Sequence, residues 1–556
     1  MGIDLSISAS PGWRDDEGGD WPGHVPSTAR VQHWCRHTRV AERVPGETGW
    51  RSKGVRYGRP PLAEERRVIV VGSGPPGAAA ALFLSRAGAD VLMLEAGSQR
   101  GSRGLSVYVR GFTVLKYRRP LKQNATFTAS ADPGAQLYEE IAPGGLTNHW
   151  SCAVPRFSRE DFADGKRAGE ATEWPLEYED LAPWYDQVEP LLRIAGGSVD
   201  HAQLPLGKVR KVRSLAAGWS TAAEESHRLG RTLAAMPYVY GAETGVTLSG
   251  TIFNAFVRLI APELRAGRIE TRFDARVVRL EWSPDRRRVV AVVVHDARTG
   301  SETRVPCAAV VLAAGAIRTA EVLLSSTSAD FPDGLGNTHG VLGHYLHDHP
   351  LGKIIVEDDA PLPVHPPVYL TRPTLDLAPP LYAAAGVQWS GTEILARSAK
   401  SGHPGHLRWV GFNLFGTMPP SADNWVGLDG SEPGPRRGAG LNLHIHHPPE
   451  ARIALEQARD DLVEILRRTG RSPRVRGWLI EPPGDSIHYG GTCRMHASPR
   501  YGMLDATGRM HAVRNVVVAD SSAFTTGPEK NPVLTAMSLA ARASSKLADE
   551  LKAGDL

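Results

Sequence analysis

The 556-residue chain is poor in cysteine: its four residues, Cys35, Cys152, Cys307 and Cys493, lie far apart and form no CxxC pair. That spacing argues against a disulfide framework or a thiolate zinc site, and a reducing, cytoplasmic setting is the expectation. Long apolar runs are scarce as well. No stretch approaches the ~18 residues needed to span a bilayer, so no membrane partner is expected. The opening MGIDLSISASPGW lacks the basic region and apolar core of a secretory signal. A surplus of one charge is missing too: 64 basic against 60 acidic residues leave a net +4, which gives no reason to expect nucleic acid as a partner. GxSxG is absent, so hydrolase chemistry has no nucleophile elbow to rest on.

What is present is enough chain for two sizeable cores, since a single core stops growing at roughly 250–300 residues. Residues 1–66, rich in Gly, Pro, Arg and Trp without periodicity, read as a partly irregular N-terminal extension. Order begins at Arg67. The apolar run Val68–Val71 reads as a strand covered on both faces, followed by GSGPPG, the helix AAAALFLSRAG and a second strand ending at Glu95. In Gly72-Ser-Gly74-Pro-Pro-Gly77 the first glycine permits a tight turn. The second lets the backbone approach a pyrophosphate, and the third lets helix and strand pack closely. Phosphates would rest at the positive end of the helix dipole. Glu95, 18 residues beyond Gly77, is placed to accept hydrogen bonds from ribose hydroxyls. The order strand, glycines, helix, strand, acid marks a dinucleotide site, yet does not choose between NAD and FAD.

Farther on, 159–235 reads as mainly helical, 270–315 as strands (RVVRLEW, RRVVAVVVHD, RVPCAAVVLAAG), and 350–480 as short strands with a helix near 450–469. The strand NVVVAD leads into NPVLTAMSLAARASSKLADEL, which reads as an amphipathic helix. The first and last segments both look like pieces of a nucleotide domain. The expected division is therefore a discontinuous dinucleotide-binding domain from 67–165, 250–335 and 480–556, with a substrate domain from 166–249 and 336–479.

Four ordered blocks beyond the glycine loop carry a resemblance. GAIRTAEVLLSS from Gly315 is similar to a signature of the form GAIxTPxLLxxSG, with Ala320 in place of proline. Leu346-His-Asp-His-Pro350 resembles a DHP turn, and His488-Tyr-Gly-Gly-Thr-Cys-Arg-Met495 resembles HxxGTCRM. Asn515-Val-Val-Val-Ala-Asp520, then Asn531-Pro-Val-Leu-Thr-Ala-Met, resembles a terminal flavin-binding strand and helix. Together they resemble the glucose–methanol–choline (GMC) oxidoreductase family, and within it pyranose oxidases and bacterial glycoside 3-oxidases, whose versions GGLTNHWSCAVPRF and NPVLTAMSLA resemble, with Asn148 where those oxidases usually have threonine, and whose pairing of His with Asn matches His488 and Asn531.

The resemblance implies an α/β fold: a Rossmann-like FAD domain and a second α+β domain on an antiparallel sheet. It implies oxidation of a secondary ring hydroxyl of a sugar or glycoside, with electrons passed to O2 or a quinone. His488 matches the position of the proton acceptor, a task suited to a neutral imidazole. The alternative is a buried histidine bonding a backbone carbonyl. Asn531 matches the second catalytic position, and Asn-Pro there is also a natural helix cap. His149 matches a histidine that either bonds the flavin 8α-methyl group covalently or packs on the flavin edge. Gly145, Asn148, Ser151, Val277 and Asp520 fall among expected cofactor contacts. His344, His347 and His349, then His444, His446 and His447, lack a carboxylate or cysteine at recognisable spacing, so no metal is expected. Asp348 is expected to brace its turn through backbone N–H groups. Two rivals stay open: oxidation of a non-sugar alcohol, and cyanohydrin cleavage with a structural FAD.

Overall fold

A computed structural model describes residues 66–99, 127–129, 135, 137–148, 150, 152–197, 200–208, 212–239, 253–363, 368–372, 385–389, 406–430 and 440–556. Its first layer is a five-stranded parallel sheet of β1 (Val68–Val71), β2 (Val91–Leu94), β3 (Glu270–Arg272), β4 (Ala309–Leu312) and β5 (Val516–Val518), in the order β5-β4-β1-β2-β3. Every residue of β1, β2, β4 and β5 is buried, as unbroken apolar runs require when both faces are covered. Strands far apart in the chain meet here, Val311 lying opposite both Val70 and Val517.

Helix α1 (Pro75–Arg86) leaves β1 and buries Ala78–Ala81, whose small side chains let another helix approach closely. That helix is C-terminal, Val533–Ala553, and it packs on α1 and on Tyr178–Leu192. The sequence reads the C-terminal helix as amphipathic. Instead residues 534–544 are buried all round, because Ala, Ser and Thr dominate; Ser538 donates to the Leu534 carbonyl and Thr535 pairs with the Tyr185 hydroxyl. The run RVPCAAVVLAAG also divides: Glu302–Pro306 pairs antiparallel with Arg288–Asp296, whereas Ala309–Leu312 turns into the parallel sheet.

The second layer is a six-stranded antiparallel sheet, in the order 474–480, 351–363, 406–416, 385–389, 368–370, 233–235. The helix Pro449–Arg468 lays Leu455, Leu462 and Leu466 against it, in one cluster with Ile354, Val356, Phe412 and Leu414. The architecture is α/β with a parallel and an antiparallel sheet.

Candidate active site

The glycine loop after β1 contains glycines with separate duties. Gly72 has φ +94°, and a Cβ on it would stand 2.5 Å from the Ala313 carbonyl oxygen. A Cβ on Gly77 would stand 2.2 Å from the Gly72 oxygen. Both are demanded by the protein itself. A Cβ on Gly74 would meet nothing within 4 Å, while one on Gly145 would lie 3.6 Å from the Gly74 Cα. The two glycines thus flank an open approach to the N-terminus of α1, the geometry a pyrophosphate needs. These residues fit FAD.

Glu95 is buried at the end of β2, where one carboxylate oxygen accepts from Ser73 N (3.1 Å) and Oγ (2.5 Å) and the other from Gly97 N (2.6 Å). Burial raises its pKa against the pull of those donors. Ser73 Oγ in turn accepts from Gly144 N at 3.1 Å, so the acid, the loop and the segment 143–148 are tied together. Asn148 is spent on its own turn: its amide donates to the Gly145 carbonyl (2.8 Å), and its oxygen accepts from Asn254 (3.0 Å). Val277 is buried in the strand Ala275–Ser283, and Asp520 accepts from Gly315 N (2.8 Å), Thr319 Oγ1 (2.7 Å) and Ser522. Asp520 therefore locks the β4 turn to the end of β5. His149 and Ser151 lie outside the described residues.

The structure brings His488 and Asn531 together. Asn531 Nδ2 is 3.2 Å from His488 Nε2, and His488 Nδ1 is 3.3 Å from His349 Nδ1. With the amide donating to Nε2, the His488 proton must sit on Nδ1 and point at His349. His349 then carries its own proton on Nε2. In this tautomer the one lone pair of His488 Nε2 accepts from Asn531, and it can take a substrate proton once the amide hydrogen gives way to the substrate hydroxyl. The ring is packed by His349 (centroids 4.9 Å) and Phe415 (5.3 Å). Asp348 braces more than its own turn. It accepts from Gly484 N (3.0 Å), Ser486 N (3.3 Å), Ser486 Oγ (2.5 Å) and His488 N (2.7 Å), holding the loop that carries the imidazole. Nor does Asn531 cap the last helix: Pro532 takes that place without a side-chain cap, and the Asn531 amide turns to His488.

Three of the remaining histidines bond backbone carbonyls. His344 Nδ1 meets the Ala422 carbonyl (2.7 Å), His444 Nδ1 the Asp423 carbonyl (2.7 Å), and His347 Nδ1 the Tyr345 carbonyl (3.2 Å). Cys152, Cys307 and Cys493 are free and buried. Arg494 of the HxxGTCRM block is buried over the Tyr345 ring.

Burial lowers the His488 pKa to about 4. The sign follows from desolvation, which penalises the cation, so the ring stays neutral and able to accept a proton until the pH falls through that value. Anaerobic flavin reduction followed by pH-jump stopped flow should therefore stay level through pH 6.5 and decline only near pH 4. A midpoint at 6.5 would mean that the imidazole keeps its solution value.

An FAD binding domain family matches residues 67–340, and a GMC oxidoreductase family matches residues 443–540. A 2-methyl-1,2-propanediol dehydrogenase of Mycolicibacterium austroafricanum is 29% identical across 86% of this chain and 95% of its own. A 6'''-hydroxyparomomycin C oxidase of Streptomyces lividus is 27% identical across 87% and 92%. A C-glycoside 3-oxidase of Arthrobacter globiformis is 25% identical across 47% and 50%. Among solved structures, pyridoxine 4-oxidase from Mesorbium loti superposes with a TM-score of 0.60 at 17% identity, covering 86% of this chain and 98% of that one, which speaks for the fold. The chain belongs to the GMC oxidoreductase family and is an FAD-dependent oxidoreductase acting on CH–OH groups.

Proposed function

We propose that the protein oxidises a ring hydroxyl of a sugar or glycoside to a ketone, with His488 as the proton acceptor and O2 or a quinone as the final electron acceptor. One observation carries the assignment of His488: both ring nitrogens face side chains, His349 and Asn531, and neither is taken by a backbone carbonyl as in a merely structural histidine. FAD, when bound, supplies the hydride acceptor. The protein's part is to let the substrate hydroxyl take the place of the Asn531 hydrogen at His488 Nε2, with the freed amide hydrogen turning to the substrate oxygen, to receive the hydroxyl proton at Nε2, and to keep the imidazole in the accepting tautomer through His349. We further read Gly72, Gly74, Gly77, Glu95, Gly145, Asn148, His149, Ser151, Val277 and Asp520 as the surroundings of the cofactor. In this reading segments 67–165, 250–335 and 480–556 carry the cofactor, and 166–249 and 336–479 the substrate.

The sugar-type substrate is supported by likeness to the aminoglycoside oxidase and the C-glycoside 3-oxidase. A second reading, oxidation of a small non-sugar diol, is favoured by the likeness to the propanediol dehydrogenase. Anaerobic mixing of the yellow protein with glycosides, aminoglycosides and 2-methyl-1,2-propanediol separates the two. Bleaching of the flavin band by a glycoside, with a ring ketone recovered, is expected; bleaching by the diol alone would replace the sugar reading. No bleaching by any alcohol would favour a structural flavin.

A further inference from the structure

One residue before Asn531 the chain buries a group of ions that the proton transfer does not use. Lys530 is fully buried, and its Nζ donates to Asp161 Oδ2 (2.7 Å) and Glu529 Oε1 (3.1 Å). Glu529, equally buried, also accepts from Tyr369 Oη at 2.8 Å. Arg372, buried at the end of strand Val368–Leu370, donates to Asp164 Oδ2 (2.5 Å) and stands 3.3 Å from Asp161 Oδ1 and 3.9 Å from Glu529 Oε2. Glu160 lies at the rim, 3.4 Å from Arg372, and His201 feels the Lys530 charge. Burial works against the Lys530 cation, but Asp161 and Glu529 outweigh it and hold the ammonium form. Likewise burial opposes ionisation of Glu529, and Lys530 and Arg372 overcome it.

Such clusters are poor sources of stability, because desolvating each ion consumes most of the attraction gained and a well-packed apolar group often does as well. What a buried network of ion pairs and hydrogen bonds does supply is a single geometry, although Asp161 Oδ1 and Glu529 Oε2 meet Arg372 as ion pairs without a hydrogen bond. Here it joins three elements: the helix Arg159–Ala168 through Asp161, which also accepts from Ser158 N (2.6 Å) as its capping box; the antiparallel sheet through Tyr369 and Arg372; and the loop leading to Asn531. Upstream, that loop is pinned by Gly527 accepting from Met418 N (2.9 Å) and by Thr526 accepting from Trp174 (2.7 Å). Downstream, Pro532 and the last helix fix the chain. Lys530 closes the remaining gap.

We propose that Lys530, held by Asp161 and Glu529, is a positioning residue that sets the Asn531 amide against His488 Nε2. This rests on the reading of His488 and Asn531 as the reacting pair. The donor on Nε2 stabilises the neutral imidazole, so its displacement raises the proton affinity of His488. The other groups facing that ring are His349, Asp348 on its backbone N–H, and Phe415.

The test is a titration of His488 in [15N]histidine-labelled holoenzyme, its signal assigned with His488→Gln. Asn531→Ala should raise the midpoint by about one pH unit. The charge-balanced pair Lys530→Met/Glu529→Gln should raise it comparably. Glu529→Gln alone, which preserves the Tyr369 contact, should raise it less and serves if the pair does not fold. A raised midpoint for Asn531→Ala with an unchanged one for the cluster variants, whatever their melting temperature, overturns the positioning role. No shift for Asn531→Ala overturns the reading of the pair itself, and the inference with it.

Discussion

His488→Ala is expected to slow anaerobic flavin reduction at least ~100-fold, the low end of what a positioned base contributes, or about 2.7 kcal/mol of barrier. Flavin content should be unchanged. Truncation strips away only the ring that meets the side chains of His349, Asn531 and Phe415, whereas the loop is held by Asp348 through the backbone N–H of residue 488, which alanine retains. A single-turnover measurement with a bleaching glycoside separates proton transfer from binding, because the variant should saturate at a similar concentration with a lower limiting rate. Reduction within a few-fold of the native rate would remove His488 from the chemistry. His349 would then be the next candidate, its ring lying beside His488 and also held neutral by burial.

The glycine loop, the strand VIVV and the block from His488 were legible because each is local. Their meaning lies in spacing over a few residues, set by backbone sterics and strand periodicity. The pairing of His488 with Asn531 was legible only through a resemblance, since 43 residues separate them. What escaped was long-range. Asp348 looks like a turn residue in sequence, yet its acceptors serve a loop about 140 residues away. Ser73, an unremarked position inside the glycine loop, links Glu95 to Gly144. Lys530, which nothing in the sequence singles out, is buried, because Asp161 arrives from 369 residues upstream. No local signal encodes such partnerships. Burying a charge becomes tolerable only when the fold delivers its counter-charge.

The other large effect should come from the third glycine of the loop. In Gly77→Ala the new Cβ would sit 2.2 Å from the Gly72 oxygen and 3.2 Å from the Ala313 Cβ, so the backbone of β1 or α1 must move. Loss of FAD by 100-fold or more in affinity is expected, about 2.7 kcal/mol, together with a lower melting temperature of the flavin-free protein. By itself that result would not tell a cofactor site from a packing site, because the clash is with the protein. Gly74→Ala makes the distinction. Its Cβ meets no protein atom within 4 Å, so the flavin-free protein should melt as the native one does. If the pyrophosphate lies over this glycine, the methyl group must displace it, and FAD affinity should drop tenfold or more. Absorbance at the flavin band after dialysis reads affinity, and calorimetry on the stripped protein reads stability. A Gly74→Ala protein that binds FAD as tightly as the native chain would move the phosphates away from the N-terminus of α1, leaving the three glycines as a device for packing helix on strand alone.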